Sequence, residues 1–598
     1  MAGGLALFWE KWDIQILVVL SFTLQVILLL SAGIRRHQGS ALLRILLWLA
    51  YLMSDYTAIY ALGHMSISSR SGGHQIMPFW APFLLLHLGG PDTITAYAFQ
   101  DNQLWLRHLL TLVVQVIGAA YVLYQFVAVG RNPGTLVAAA TLMFFSGCLK
   151  YGDRTWALKC GGIDSIASSL SNKETSSQVT GPYHGREGGK RLDTEEVLLG
   201  AHYMRNVCKG ILADQAVMQK SEYEVVRQGI QLNGGMYLYE LVAMELSLLY
   251  DILYTKAAVI HTWYGLCIRI ISPLSAIAAF LLFQFSSKDA YIRVDVVVTY
   301  VLLVGALVLE MASLLRAAGS SWACASFHAR GCHRLCSMIM RLRRLLKAGA
   351  RRRTCLDSLG QYNLLDVCTD VNHDDLRGKI AKMIGLGDRW RKLHYSTTVP
   401  VSDGIKGLVL GEIRKKSMED LRNARASGYS RREACASLPA AGVVHSVRNK
   451  ENYMYFSMLW WRVMKSTKEE TMSSSRSAIV KKIERADGVD DRPAYEDGSW
   501  LAGMLLGNRW CLPTVDMLQV IAGVWVELLC YAAYHCGEES HATKLSTGGE
   551  FMNAVWLLMG QATLYDRYAP SAEALAVLTR RPLPKPKLPA RWTQRPPV

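Results

Sequence analysis

Residues 294–318 read VDVVVTYVLLVGALVLEMASLLRAA, and the chain that follows, as far as RRR at 351–353, holds no Asp or Glu. The first string is long enough to cross the ~30 Å hydrocarbon core of a bilayer at about 1.5 Å per helical residue. Arg316, Arg330, Arg334, Arg341, Arg343, Arg344, Lys347, Arg351, Arg352 and Arg353 follow in one acid-free run. That charge pattern holds a loop on the cytosolic side of a membrane. A span ending in such a run sets the class, a helical integral membrane protein, and the orientation, with residue 318 inside.

Reading backwards, the apolar run Ala258–Phe283 is the antiparallel partner, so residues 151–257 lie on the same side as the basic run. Further upstream, Ile14–Gly33, Leu42–Leu62, Leu104–Val127 and Thr135–Leu149 are apolar. Met77–Leu88 is a shorter run with Pro78 and Pro82. As a helix it would reach only about 18 Å, which suits a re-entrant segment or a span completed by its neighbours. If it crosses, there are seven spans, the N-terminus is outside, and Arg35, Arg36 and Arg44 face the cytosol; if it does not, there are six. The positive-inside rule favours seven. The expected fold is all-α: a polytopic α-helical membrane protein of six or seven spans with a mostly helical cytosolic C-terminal domain.

Composition agrees. Of 598 residues, 51% are hydrophobic and 19% charged, below the roughly 25% charged of soluble domains. The net charge of +17 belongs to cytosolic loops in such a protein. No nucleic-acid fold signature accompanies it, so nucleic acid is not an expected partner. Thirteen dispersed cysteines do not form a disulfide framework. Cys332, His333 and Cys336 lack the second pair of ligands of a structural zinc site.

The chain divides accordingly. Residues 1–150 carry the N-terminal membrane helices. Residues 151–257 form a cytosolic loop: Ser165–Gly189 is rich in Ser, Gly and Thr and reads as flexible, Asp193–Arg227 as helical, and Met236–Tyr254 as an amphipathic helix. Residues 258–318 are the helix pair, 319–356 the basic juxtamembrane segment and 357–500 a mixed cytosolic region. In 501–570, Val515–Tyr534 contains Asp516, Gln519 and Glu527, which favours a buried helix in a cytosolic core over a lipid-facing one. Phe551–Tyr565 is its expected partner, joined by a Gly- and Ser-containing link at Cys536–Glu550. Residues 571–598 form a Pro-rich basic tail, disordered or polyproline II.

Several strings resemble a plant membrane-protein family known as a domain of unknown function, DUF4220: RHQGS at 36–40, LHLGGPDTITAY at 86–97, NQLWLRHL at 102–109, KYGDRTWAL at 150–158 and YTKAAVIHTW at 254–263. They span about half of the chain. Near the C-terminus, WVELLCYAAYHCGEESHA at 525–542 and GGEF at 548–551 resemble a companion domain, DUF594. The Leu459–Arg462 stretch departs from the segment such proteins carry upstream. The resemblance implies a plant membrane protein and lends no catalytic residue.

Candidate chemistry is sparse. His87 and Asp92 have the spacing of an acyltransferase acid/base pair, though Asp92 also reads as a helix N-cap for Thr93 onward. His535, Glu538, Glu539 and His541 share one short polar loop and match no metalloprotease motif. Asp55, Arg269 and Glu310 sit inside apolar runs, where a charge must face the bundle or water. Arg269 is expected to pair with Glu310 or Asp55 in one layer. Arg341, Arg343, Arg344, Arg351, Arg352 and Arg353, interleaved with Leu335, Met338, Ile339, Leu342, Leu345 and Leu346, suit anionic lipid headgroups.

No cofactor or metal is implied. The expected partners are the lipid bilayer, anionic lipids and cytosolic proteins. Three function classes stay open: a membrane-anchored scaffold or signalling protein, a transporter using the intramembrane charges, and a lipid-modifying enzyme around His87 and Asp92.

Overall fold

A computed structural model describes residues 2–33, 35, 41–68, 76–128, 133–171, 193–216, 222, 225–226, 236–288, 291–346, 358–362, 383, 385, 396–413, most of 526–534, and 536–568. The chain folds as two compact units, one of 1–225, 240–355 and 538–549, the other of 226–239, 356–537 and 550–598.

Among its described residues the first unit contains helices and the loops that join them, and no strand. In chain order it contains α1 Ala2–Leu30, α2 Ala41–Ser68, a 3₁₀ turn Met77–Trp80 leading into α3 Ala81–Leu88, α4 Phe99–Gln103, α5 Trp105–Ala128, α6 Gly134–Cys160, α7 Ile163–Ser171, α8 Thr194–Tyr203 and α9 Arg205–Leu212. Then come residues 240–254 of α10 Met236–Tyr254, whose first four residues belong to the second unit, and α11 Ala257–Ile260, α12 Trp263–Gln284, α13 Arg293–Ala318, α14 Ser321–Ala329 and α15 His333–Leu345, with α16 Glu538–Leu545 following from the C-terminal region. Local chemistry sets the ends. Thr262 caps α12 by accepting from the Gly265 amide, and Ser320 caps α14 by accepting from the Ala323 amide. At α4 the Asp101 carboxylate accepts from the Tyr97 and Ala98 amides.

Among the described residues six helices are long and apolar enough to cross a membrane: Trp12–Leu30, Leu42–Ile67, α5, α6, α12 and α13. The protein is therefore a multi-pass α-helical membrane protein. Leu106, Leu110, Ile117, Tyr121 and Tyr124 repeat along one exposed face of α5. In water that stripe would be an aggregation surface; in a bilayer it faces lipid.

The helices have two common ends. Lys159 lies 4.8 Å from the Trp105 ring, His261 Nε2 is 3.0 Å from Ser320 Oγ, and Arg316 donates to the Leu29 carbonyl at 3.1 Å. Thus α1, α6 and α13 finish where α5 and α12 start. We call this the basic end, since the arginine-rich segment leaves from it. Trp156, Trp263 and Tyr264 are exposed there, as aromatic residues at a membrane–water boundary are. At the opposite end Gln15 donates to Asp295 and His64 meets Asp13 at 3.4 Å.

The short run 77–88 takes an intermediate form. It starts at the opposite end, where the Trp80 indole donates to Thr299 Oγ1 at 2.9 Å. Every residue of α3 is buried among its neighbours. Residues 89–98 continue as a strap without helix, and reach the basic end, where Arg35 donates to the Ala96 and Tyr97 carbonyls and the Thr95 amide donates to the Tyr254 carbonyl. A half-helix and a strap together run from one end of the bundle to the other over the stretch that the sequence favoured as a seventh span. Close packing at Gly147 of α6 admits the half-helix: a Cβ there would lie 3.1 Å from the Pro82 carbonyl oxygen and the Leu86 amide nitrogen.

Several expectations are corrected. The span expected to stop at Leu149 continues as α6 to Cys160. Its charged residues Lys150, Asp153 and Arg154 are paired inside the bundle. α10 is not amphipathic: Glu245 and Asp251 are buried with the apolar residues around them, and Asp251 accepts from the Trp322 indole at 3.2 Å. The helix α7, Ile163–Ser171, runs into the first residues, 165–171, of the loop expected to be flexible at Ser165–Gly189, and the rest of that loop lies outside the described residues. The link at 536–550 contains α16, with Glu538 and Glu539 in the first turn, where carboxylates complement the helix dipole.

In the second unit, residues 358–362 (β1) pair antiparallel with 396–400 (β2), with Ser358 opposite Pro400 and Gly360 opposite Thr398, a ribbon that the mixed region 357–500 did not announce. Helical residues 403–413 follow. The helix α17, Phe551–Tyr568, buries Phe551, Ala554, Val555, Leu557 and Leu558. The Tyr239 ring lies 5.9 Å from Phe551 and has Lys406 over its face at 4.7 Å. Most of Val515–Tyr534 and all of 571–598 lie outside the described residues.

Candidate functional site

α3 stops in the middle of the bundle, which creates a problem and its solution. The last carbonyls of a helix have no intrahelical partner and carry its negative end. Two buried cations meet them here. Arg154 Nη1 donates to the Leu88 carbonyl at 2.8 Å, and Lys256 Nζ donates to the Gly89 carbonyl at 2.9 Å. Gly90 then takes φ +64°, a backbone turn that suits glycine, and sends the chain into the strap.

Each cation has an anion. Arg154 holds Asp55 of α2 bidentately, at 2.7 and 2.9 Å. Lys256 lies 3.5 Å from Asp153. Arg269 of α12 meets Asp92 of the strap at 2.5 Å and Asp153 of α6 at 3.2 Å, and donates to Ser313 at 3.0 Å. Ser313 donates in turn to Asp92. Lys150 pairs with Glu310 of α13. Lys150, Arg154, Lys256 and Arg269 thus balance Asp55, Asp92, Asp153 and Glu310 in one connected layer.

Depth follows from position. Arg269 lies about 9 Å along α12 from Trp263, and Glu310 about 12 Å along α13 from Ala318. The layer sits just below the aromatic boundary of the basic end. Lys256 precedes α12 outside the spans, and burial pushes its pKa down to about 8 against the pull of Asp153 and Asp92. Nearby His261 is pushed down to about 4 by burial and by Arg269.

A cavity of about 30 Å³ opens beside the layer, lined among others by Gln25, His87, Asp92, Thr93, Lys150, Glu310 and Arg316. It has room for about two water molecules. Glu310 Oε2 and Thr93 Oγ1 are buried without a hydrogen-bond partner among the described residues. Beyond it the opposite half of the bundle is closed by Val18, Ala61, Phe79, Trp80, Phe83, Met143, Ala279 and Leu303, all buried in one apolar cluster.

Asp55, Arg269 and Glu310 therefore share a layer, as their depths suggested, but with other partners. Arg269 takes Asp92 and Asp153, while Asp55 and Glu310 are held by Arg154 and Lys150. These partners were missed because Lys150, Asp153 and Arg154 lie past the expected end of their span and Lys256 lies in a connection. Their spacing at 150, 153 and 154, one helix face, was the available signal.

His87 and Asp92 line the same cavity but form no dyad. His87 Nδ1 lies 3.0 Å from Ser21 Oγ, and Asp92 is committed to Arg269 and Ser313. Nor does Asp92 cap a helix, since the next one begins at Phe99 with Ala98 at its N-cap and the Asp101 carboxylate accepting from the Ala98 amide. Of the C-terminal polar group, Glu538, Glu539 and His541 lie on α16; Glu539 accepts from Gln103, and the adjacent Ala542 carbonyl accepts from Tyr254. His535 lies outside the described residues. Arg343 is withdrawn from solvent by Glu195 at 2.9 Å and the Gly319 carbonyl at 2.9 Å, and Arg344 is paired with Asp193 at 2.6 Å. Arg341 is exposed, and Arg351, Arg352 and Arg353 lie outside the described residues.

The strings 86–97, 150–158 and 254–263 supply His87, Asp92, Lys150, Asp153, Arg154 and Lys256, so the stretches that carry the family resemblance converge on this layer. A family model described as "Domain of unknown function (DUF4220)" matches residues 48–368, and one described as "Protein of unknown function, DUF594" matches 513–564. No curated protein and no solved structure matches the chain.

Proposed function

This chain belongs to the DUF4220 family, and from that premise we propose that it is a membrane-anchored scaffold or signalling protein whose regions beyond the basic end bind protein partners in the cytosol. One observation carries the reading. The charged layer is neutral as a set and its ions are paired with one another, and a cluster of buried apolar side chains packs the half-bundle beyond it. A transport path needs polar groups from face to face. Phe79, Trp80 and Phe83 are fully buried in that half. An acyltransferase reading would need His87 held by Asp92, and those side chains have other partners. The ion pairs instead suit a fixed arrangement of helices around the broken span.

The basic run supports a cytosolic position for 151–257 and 319–598, in the plasma membrane or an endomembrane. A glycosylation acceptor inserted near Ser177 or Ser427 should stay unmodified; modification at either position contradicts the topology. Two measurements test the function. A biotin ligase fused to the C-terminus should label a reproducible set of soluble proteins that is lost when residues 501–598 are deleted. Full-length protein in liposomes should pass ions and protons no faster than protein-free vesicles. Flux above that background, or a labelled set unchanged by the deletion, overturns the scaffold reading.

A further inference from the structure

The helix that follows the last span, α15, shows an apolar face to the outside. Leu335, Met338, Leu342 and Leu345 are between 47% and 81% exposed. At 3.6 residues per turn they fall within about 80° of one another. Exposed Arg334 and Arg341 flank that stripe within about 40° of its edge. The reverse side of the helix is anchored. Cys336 is buried with its sulfur 2.9 Å from that of Cys324, and Arg343, 4% exposed, reaches Glu195 and the Gly319 carbonyl. These contacts fix the rotation of α15, so the apolar stripe cannot turn inward.

Gly319 is the C-cap of α13 and marks the basic end of the bundle. The hydrogen bond from Arg343 therefore holds the second half of α15 at the level of the bilayer surface. One turn before Gly319, Leu315 is exposed on the lipid-facing side of α13, so the apolar surface of the bundle continues towards the helix.

We propose that α15 lies in the membrane interface, with Leu335, Met338, Leu342 and Leu345 in the acyl boundary and Arg334 and Arg341 on anionic lipid headgroups. An interfacial helix has this form, an apolar face edged by arginine. The long side chains of arginine let the charge rise to headgroup level while its stem stays apolar. Arg343, which the sequence placed among the lipid ligands, acts as the anchor that orients the helix. This inference needs only that the bundle is in a membrane, and it stands whether or not the chain is a scaffold.

The test uses full-length protein carrying the photo-crosslinking residue p-benzoylphenylalanine in place of Met338, in nanodiscs of phosphatidylcholine alone or mixed with phosphatidylserine. Irradiation should give lipid adducts at position 338, enriched in phosphatidylserine. In the R334Q/R341Q protein that enrichment should fall by about thirtyfold, as expected for two basic residues at an anionic surface. Adducts without lipid, adducts to protein, or lipid adducts that ignore phosphatidylserine and both arginines would overturn the proposal. Circular dichroism and thermal unfolding of the labelled protein, unchanged from the parent, show that the exposed position was replaced without loss of fold.

Discussion

The two halves of the membrane bundle are built on different principles. Towards the opposite end Phe79, Phe83, Phe126 and Phe283 pack ring on ring, with the Phe79 centroid 5.6, 6.4 and 6.0 Å from the other three. Towards the basic end four cations and four anions meet around the end of a half-helix. In lipid, apolar side chains gain little by leaving the bilayer for the protein interior, so packing alone orders the aromatic half loosely. A buried charge has one low-energy partner arrangement and many costly ones. The contrast teaches that register in this bundle is set by the charged layer, while the aromatic half fills the space that register leaves.

Removing Arg269 should do the most damage. Arg269→Leu leaves Asp92 and Asp153 buried without their guanidinium, and breaking such an arrangement costs about 3–5 kcal/mol. Thermal unfolding in detergent reads the loss. An unchanged midpoint would mean that water already reaches this layer.

The charged half should also respond to pH through Lys256, and the aromatic half should not. The folded-state pKa of Lys256 is about 8, below its ordinary 10.5. Between those values the unfolded chain still holds a proton that the folded one has released. Stability therefore rises with pH across that window, by up to about 3 kcal/mol, and is flat below it. Unfolding followed from pH 7 upward should show this rise, and Lys256→Met should remove it. A rise that persists in the variant would assign the effect to another group.

Phe79→Ala should be milder than either. In water a buried Phe→Ala change costs about 3–5 kcal/mol, of which a large part is transfer from solvent. Against lipid that part falls away, leaving roughly 1–2 kcal/mol for the cavity. A loss equal to that of Arg269→Leu would erase the distinction between the halves.

Legibility in the sequence follows the same division. The spans could be read because apolar runs report their own environment, one residue at a time. Asp55, Arg269 and Glu310 stood out because each interrupts such a run. Lys150, Asp153, Arg154 and Lys256 did not, because a charge near the end of a span reads as solvent-exposed unless its partners are known, and those partners come from helices far away in the chain. The half-helix was suggested by the length of 77–88 and its prolines, but not the cations that cap it. α10 was misread for a related reason: its acids follow a helical spacing that looks amphipathic, yet Asp251 is satisfied by Trp322, whose place the spacing cannot report.

Lys150 and Glu310 offer the cleanest double-mutant cycle on the charged layer, since they face each other as a pair from α6 and α13. Lys150→Met, Glu310→Met and the double variant would be compared by thermal unfolding of detergent-solubilised full-length protein. If the layer sets the register of the bundle, each single substitution destabilises by leaving one buried charge alone, and the double variant recovers most of the loss. Additive losses in the double variant, or single variants as stable as the parent, would show instead that the two side chains are separately hydrated and that the layer is not a lock.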